Sequence, residues 1–419
     1  MRPLPTIPPR CTPSPTARWG RAGVGATVPE TTPPRRHFLQ SLGAATCSLL
    51  LAPAFAQVRP RAGYDNLLIL VELKGGNDGL NTVVPYTDHN YYQLRPRIAI
   101  ARDKVVQLDD RAGLHPSLAP LFPLWKAREL AVIQGVGYPS PNLSHFRSIE
   151  IWDTASDSDE TLTDGWLARA FAESPPPGSF AADGIVVGSA EAGPLEGVGP
   201  RVITLANTQQ FLRQARLATP EGRSRNPALD HILKVEADIV QAARGLAADH
   251  EFKTEFPGGP FGNAVKTACQ AIAGKDGVAA VKLSLNGFDT HSNQPATQER
   301  LLKELAEGLV ALRAALMELD RWSSTLVLTY AEFGRRPKEN QSSGTDHGTA
   351  NVHFMLGGRV RGGLIGAAPR LDRLDGAGNV AFGVDFRSVY ATVLEQWWGL
   401  PSRKILQARH PMLDVLKSV

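Results

Sequence analysis

Asn66-Leu67-Leu68-Ile69-Leu70-Val71-Glu72-Leu73, followed at once by Lys74-Gly75-Gly76-Asn77-Asp78-Gly79, is the stretch that decides the fold. An apolar run this continuous predicts a strand covered on both faces, the condition of a strand inside a parallel sheet. The glycines and the Asn-Asp-Gly that end it predict a tight loop. Further runs of the kind lie at Leu130 to Gly137, Gly184 to Gly188, Val202 to Ala206, Val278 to Leu285, Thr325 to Tyr330 and His353 to Leu356. Between them stand segments of helical character: His115 to Glu129, most of 208–273, Thr297 to Trp322 and Asp385 to Trp398. Thr297 to Trp322 is the clearest, with Leu301, Leu302, Leu305, Leu309, Leu312, Leu316 and Leu319 on one stripe. Strands alternating with helices predict an α/β fold, a three-layer α/β/α sandwich on a mostly parallel central sheet.

In such sheets ligands bind beyond the carboxyl ends of the strands. Asp78, Ser144 and Asp289 each follow a predicted strand, and Asp346 follows another after a longer loop. Asp289 and His291 are two residues apart, which in an extended segment turns both side chains to one side. Asp346 and His347 are adjacent between Gly344 and Gly348, which permit the irregular turn that lets neighbouring side chains converge. His353 could add a nitrogen from the next strand. Carboxylates and imidazoles in this combination hold a divalent metal such as zinc. Plainer readings exist for each: a turn at Asp78, a capping Asp289, a polar surface loop around Asp346. Ser144, beside His145 and three residues before Arg147, is a candidate nucleophile and equally a helix N-cap, with Ser140 a weaker candidate. No Gly-x-Gly-x-x-Gly follows the first strand, which speaks against a dinucleotide cofactor.

The first 34 residues are rich in Pro, Thr, Arg and Gly without apolar periodicity. Arg35-Arg36-His37-Phe38-Leu39-Gln40, a mild apolar stretch and Ala54-Phe55-Ala56 then give a basic region, an apolar region and a small-x-small cleavage site. The paired arginines before Phe-Leu resemble a twin-arginine export signal. The expectation is a leader and signal over 1–56, a single domain over 57–419 with a helical insert near 208–275, and a periplasmic or extracellular destination reached through the twin-arginine machinery. Residues 1–56 carry six arginines and one glutamate, so the whole chain's net +4 becomes −1 for the remainder. That balance gives no case for nucleic-acid binding. Cys11 and Cys47 fall in the leader and Cys269 stands alone, so a processed chain has no internal disulfide. Beyond the signal no apolar run approaches the length of a membrane span.

Several stretches together resemble the bacterial domain-of-unknown-function family 1501, exported proteins that typically carry twin-arginine signals. They are Leu70 to Pro85 (LVELKGGNDGLNTVVP), Ser144-His145-Phe146, Gly165 to Arg169 (GWLAR), Asp289-Thr290-His291, Ala331 to Arg335 (AEFGR) and Thr345 to Gly348 (TDHG). The resemblance runs from about residue 66 to 400. The family is grouped with the alkaline phosphatase and sulfatase superfamily, which implies an α/β/α sandwich and a site of one or two metal ions. That superfamily's order is an Asp after the first strand, a Ser or Thr nucleophile, then Asp and His, an Asp-His pair and a last His. Asp78, Ser144, Asp289, His291, Asp346, His347 and His353 follow it. Asp289 and His291 stand closer than the superfamily's usual pair, and Ser144 lacks a nucleophile signature.

Two functional expectations result. One is a metal-dependent hydrolase of a small anionic ester, phosphate or sulfate. Asp78, Asp346 and His347 would hold one ion beside Ser144, and Asp289, His291 and His353 a second. Arg147 would bind a non-bridging oxygen, and Glu332 would be an extra ligand or a partner of one. The other is a non-catalytic envelope protein that keeps the fold as a binding scaffold.

Overall fold

The computed structural model describes residues 63–206, 226–246 and 250–417, together with 211, 213 and 215. The leader and signal expected over 1–56, and parts of the segment expected to be a helical insert, lie outside the described residues. No described helix is long and apolar enough to cross a membrane.

The path begins with β1 (Leu67–Lys74), followed by the short helix α1 (Gly79–Thr82). A three-stranded sheet comes from β2 (Val83–Val84), β3 (Val106–Gln107) and β4 (Gly113–Leu114), with α2 (His89–Leu94) between the first two. Then come α3 (Phe122–Lys126), β5 (Leu130–Gly137), α4 (His145–Thr154), α5 (Trp166–Glu173), β6 (Ala182–Val187) and β7 (Val202–Leu205). The later part holds α6 (Pro227–Gly245), α7 (Gly259–Ile272), β8 (Val278–Asn286), α8 (Gln294–Glu318) and β9 (Thr325–Tyr330). It closes with β10 (Asn351–Leu356), β11 (Gly363–Ile365), β12 (Val384–Asp385), α9 (Phe386–Thr392) and α10 (Ser402–Ile405).

The main sheet runs β11-β5-β10-β9-β1-β8-β6-β7, with β12 also on β5. The pairs β9-β1, β1-β8, β8-β6 and β6-β7 are parallel, and β10 alone is antiparallel to both its neighbours. This is the mostly parallel sheet that the sequence predicts. β1 lies at its centre, and its alternation shows why the run is apolar on both faces up to Glu72. Leu67, Ile69, Val71 and Leu73 enter one core, with α7 and α8, while Leu68 and Leu70 enter the other, with α4, α5 and α9. Two cores on two faces make the three layers. The His115–Glu129 segment, read as one helix, is a 3-10 turn over Pro116–Leu121 followed by α3; Pro120 and Pro123 withhold backbone donors that one continuous α-helix needs. The described helices of the 208–275 segment are part of the body: Phe261, Val265, Ala268 and Cys269 of α7 are buried against the sheet.

Period two also fixes what faces the site. Glu72 follows Leu68 and Leu70 on the α4 side, and in register it meets Ser284 of β8 and Tyr330 of β9. The carboxyl ends of β1, β8, β9 and β5 share one edge of the sheet. From this edge leave the loops that carry Asp78, Asp289, Glu332 and His145.

Candidate functional site

Two loops are stitched together at this edge. The 287–293 loop after β8 and the 336–350 loop before β10 exchange backbone hydrogen bonds: Thr345 N–H donates to the Thr290 carbonyl (3.1 Å), Asn293 N–H to that of Ser342 (3.1 Å) and Gln294 N–H to that of Ser343 (2.9 Å). Gly344 makes the approach possible, since a Cβ there would lie 2.3 Å from the His291 carbonyl carbon. On the other flank Gly75, at φ +115°, brings the β1 loop against the Asp289 backbone; a Cβ would lie 2.3 Å from Asp289 N.

Around Asp289 these loops gather three imidazoles. Asp289 Oδ1 is 3.1 Å from His291 Nε2 and 3.2 Å from His347 Nε2, and the two nitrogens are 3.0 Å apart. Its Oδ2 is 3.4 Å from His145 Nε2. Each histidine has its other nitrogen against an oxygen. His347 Nδ1 donates to the Leu143 carbonyl (2.8 Å), His145 Nδ1 lies 2.8 Å from Glu332 Oε1, and His291 Nδ1 lies 3.3 Å from Asp346 Oδ1. A carbonyl only accepts, so the proton of neutral His347 is on Nδ1, assigned from its partner, and Nε2 carries a lone pair. The same reasoning from carboxylate partners leaves Nε2 of neutral His145 and His291 bare. Three lone pairs and a carboxylate facing one another require a cation or protons among them. A triangle with edges of 3.0 to 3.2 Å is close to the ~3.3 Å that separates tetrahedral zinc ligands at ~2.0 Å. The donors present fit a divalent ion.

One fixed cation already bears on Asp289. Arg335, fully buried, donates to Asp289 Oδ1 (2.6 Å) and to the carbonyls of Gly76 (2.7 Å), Phe288 (3.0 Å), Thr345 (2.9 Å) and Gly75. It thus ties three site loops into one frame. Burial opposes the Asp289 charge, but Arg335, then His347 and His145, outweigh it and hold the carboxyl below its usual range. His145 is raised, chiefly by its bond to Glu332, which outweighs its burial. His347 is lowered, by burial first and by the nearby Arg335 charge. Burial also works against the charge of Asp346, yet its bonds to Asn340 and His291 leave it below the usual range. Phe333 packs on both His145 and His347, with ring centroids 4.9 and 4.4 Å away.

The sequence candidates therefore separate. Asp289, His291, Asp346 and His347 come together as the spacing suggests. Asp78 does not join them, because both of its oxygens are committed to Arg95, at 2.5 and 3.0 Å, in a pair that is buried on both sides. Its Oδ2 also accepts from Gln294, whose Oε1 in turn accepts from Thr345 (2.6 Å) and Thr290 (3.1 Å), the neighbours of the site residues. Asp78 thus braces the two loops from behind. His353 points into the sheet's interior: it is 1% exposed, 5.2 Å from the Trp152 ring, and neither ring nitrogen has a partner. The reason is the register of β10, which sets His353 opposite Ile133 in the middle of β5, on the face that Trp152 of α4 covers. Arg147 is taken up by the carbonyls of Asp157 (3.3 Å), Ser158 (3.2 Å) and Glu160 and by Glu150 (2.8 Å), so it fastens the loop after α4 instead of facing a substrate. Ser144 is exposed at the N-cap of α4, and its side chain caps nothing. Ser140, also exposed, adopts φ +50° in the turn before it.

Three residues of the site were missed as members of it. His145 was noticed only as the neighbour of Ser144, although a histidine at the first turn of a helix just past a strand end was the available signal. Arg335 gave none, since a cation inside a predicted metal site runs against the pattern. Glu332, expected as an extra ligand or a partner of one, stands beside His145: it is 2% exposed, its Oε1 accepts from Gly75 N–H (2.9 Å) as well as facing His145, and its Oε2 has no partner. The carbonyl of Leu143, which orients His347, lies beyond any reading of side chains.

Beside the cluster opens a cavity of about 690 Å³, bounded by α4, the ends of β1 and β8, and the turn at Gly193. His145, Asp289 and Glu332 form its inner end.

Residues 65–408 match the family model described as Protein of unknown function (DUF1501). No curated protein matches the sequence. Similar solved structures include the lipoteichoic acid synthase LtaP from Listeria monocytogenes, at 9% identity and a TM-score of 0.33, over 70% of this chain and 65% of that one. The chain thus spans slightly less than two thirds of that relative. Others are the phosphonate monoester hydrolase of Agrobacterium radiobacter (9% identity, TM-score 0.36, 82% and 78% covered) and the alkaline phosphatase of the Antarctic bacterium TAB5 (12%, 0.33, 70% and 91%). At such identities and scores the likeness tells nothing of activity.

Proposed function

We propose, for a chain that belongs to the DUF1501 family, an exported metal-dependent hydrolase of a phosphate or sulfate ester. The observation that carries this reading is the pointing of three imidazoles. Nδ1 of each is engaged by an oxygen and Nε2 of each is turned to Asp289, the arrangement by which proteins orient histidines for a metal. His291 Nε2, His347 Nε2 and Asp289 Oδ1 would hold a divalent ion, zinc first among them. His145 Nε2 and Asp289 Oδ2 offer a second position, so one or two ions suit the donors. Bound there, a metal supplies a Lewis acid that draws charge from a phosphoryl or sulfuryl oxygen.

The chain's own residues do the rest. Arg335 keeps Asp289 ionised and its loops in place. Phe333 shields one side of two imidazoles from water. Ser144 is the accessible hydroxyl at the N-terminus of α4, a helix of 10 residues whose end favours developing negative charge, and it is joined to the centre through the Leu143 carbonyl. Its attack on the ester would form a bond from Ser144 Oγ to phosphorus or sulfur as the bond to the alcohol breaks, the hydroxyl proton leaving with that alcohol, and water would then release the phosphate or sulfate and restore the hydroxyl.

The test is hydrolysis of a panel of aryl phosphate and sulfate esters by zinc-loaded protein, by EDTA-treated protein and by Asp346→Ala. Turnover that both treatments reduce by about 100-fold or more supports the reading. Tight zinc binding without turnover on any ester supports the binding-scaffold alternative. Turnover indifferent to EDTA and to Asp346→Ala removes the proposal. Export belongs to the same proposal: lysines at Arg35 and Arg36 would strand the protein in the cytoplasm, as cell fractionation reads directly.

A further inference from the structure

The cavity beside the cluster has a polar end and an apolar body. His145, Asp289 and Glu332 make the polar end. Phe146, next to His145, is 89% exposed, so a bare aromatic ring stands where the cavity leaves the cluster. Farther along come Ile149 of α4, Leu162 of the loop after α4 and Ala192 of the loop after β6. All three are half-buried, and each keeps apolar surface turned to the cavity. A volume of about 690 Å³ lies within the ~300–1,000 Å³ of small-molecule sites, which are largely apolar with a few polar groups converging at one place.

The carboxylates on this wall leave little charge free inside it. Glu72 pairs with the buried Lys282 at 2.9 Å, Glu191 with Lys74 at 2.6 Å, Glu150 with Arg147 at 2.8 Å and Asp289 with Arg335 at 2.6 Å, and Glu332 faces His145 at 2.8 Å. Burial raises the Asp153 carboxyl well above the usual range; Lys282 opposes this, while Glu72 and Glu191 add to it. Glu196 is exposed and makes no ion pair among the described residues, so it repels a second anion. An ammonium entering here would lose its water and meet carboxylates that are already matched or neutral. An uncharged apolar group loses nothing and gains burial.

The cavity also has a length. His145, Phe146, Ile149, Asp153 and Thr154 all line it, the spacing of one helix face, so it follows α4 away from the cluster. Eight residues of helix separate His145 from Asp153, an axial distance of ~12 Å. At the Asp153 end the wall closes. Gly193 meets α4 there, since a Cβ on it would lie 3.0 Å from Asp153 Oδ1, and Gly165 N–H donates to the Glu196 carbonyl (2.8 Å) across the same end. An extended chain advances ~1.2 Å per bond, so ~12 Å takes about ten bonds.

We propose that this cavity takes the alcohol portion of the substrate, and that this portion is an uncharged apolar chain of about ten atoms lying along α4 from Phe146 past Ile149. The placing of the ester at the His145 end rests on the hydrolase reading above; the preference for an uncharged apolar occupant does not. The substrate class that follows is an amphiphilic ester, anionic only where it meets the cluster.

Binding of the alcohol alone, without turnover, tests this. The neutral fluorophore phenylnaphthylamine is bound to zinc-loaded and to EDTA-treated protein and displaced with hexanol, octanol, decanol and dodecanol, and with ω-aminooctanol and ω-hydroxyoctanoate. Expected is a gain of roughly three- to fourfold per added methylene from hexanol to decanol, a smaller gain from decanol to dodecanol, and both charged octyl compounds about tenfold or more weaker than octanol. Phe146→Ala and Ile149→Ser should each weaken octanol several-fold while Ile149→Leu keeps it, with circular dichroism checking that all three fold. Either charged compound binding as tightly as octanol, an affinity indifferent to chain length, or octanol unaffected by both Phe146→Ala and Ile149→Ser overturns the proposal. Should no ester be hydrolysed while the alcohols bind in this order, the hydrolase reading fails and the cavity's preference stands. Hydrolysis of short and long alkyl esters alike, with no alcohol bound, overturns the proposal and leaves the hydrolase reading intact.

Discussion

His353 shows how much a single side chain's environment decides. With no partner for either nitrogen and no solvent, burial lowers its pKa to about 3, against an unfolded value of ~6.5. The folded value is the depressed one, so the unfolded chain binds the proton more readily. The contribution is complete above pH ~6.5, is lost as pH falls through that value and levels off below about 3, and over that window it reaches roughly 5 kcal/mol. His353→Leu is expected to remove that part of the acid sensitivity, so that denaturation midpoints of variant and parent diverge between pH 6 and 4, within ~1 unit of either bound. Identical pH slopes would show that His353 is solvated or coordinated. Asp78 is the second case. Asp78→Asn leaves Arg95 charged and unmatched in the interior, and a loss of ~3–5 kcal/mol in urea denaturation is expected. Zinc bound per folded chain stays unchanged if Asp78 only braces the loops. A variant that keeps its stability and loses its metal would make Asp78 a ligand after all.

Among elements, strands were the most legible, because β1 is covered on both faces and so is apolar from Leu67 to Val71. Direction was not legible. Nothing in Val352 to Leu356 distinguishes an antiparallel strand from a parallel one, nor does it give the register that sets His353 opposite Ile133 and against Trp152, inside the sheet. The close approach of loops was half legible: Gly75, Gly344 and Gly348 were plain in the sequence, but which backbone each admits is a matter of tertiary contact. Gly75→Ala tests that contact. A methyl there meets Asp289 N and forces the β8 loop outward, so zinc affinity should fall by about tenfold or more, while α7, α8 and the far core keep their hydrogen-exchange protection. Unchanged affinity would mean that the loop position does not set the ligand geometry.

At the scale of the molecule, the sheet brings to one edge groups that lie more than 200 residues apart, Leu143 and His347 among them. The Asp-x-His and Asp-His pairs were readable because each is local in sequence. His145, Arg335 and the Leu143 carbonyl were not, since each acts only through a contact made by folding. The same convergence explains why the centre should stabilise the whole chain: a ligand held by three separate loops binds the folded state and not the unfolded one, adding ~2.7 kcal/mol at a hundredfold excess over its dissociation constant. The most direct test of the account is therefore the metal content of protein purified without chelator, measured by elemental analysis beside Asp289→Asn and His291→Ala. Expected are about one or two zinc equivalents per chain in the parent, loss of most of it in both variants, and a lower melting temperature for the parent after EDTA. A parent that holds no divalent metal and melts at the same temperature with and without added zinc would contradict it.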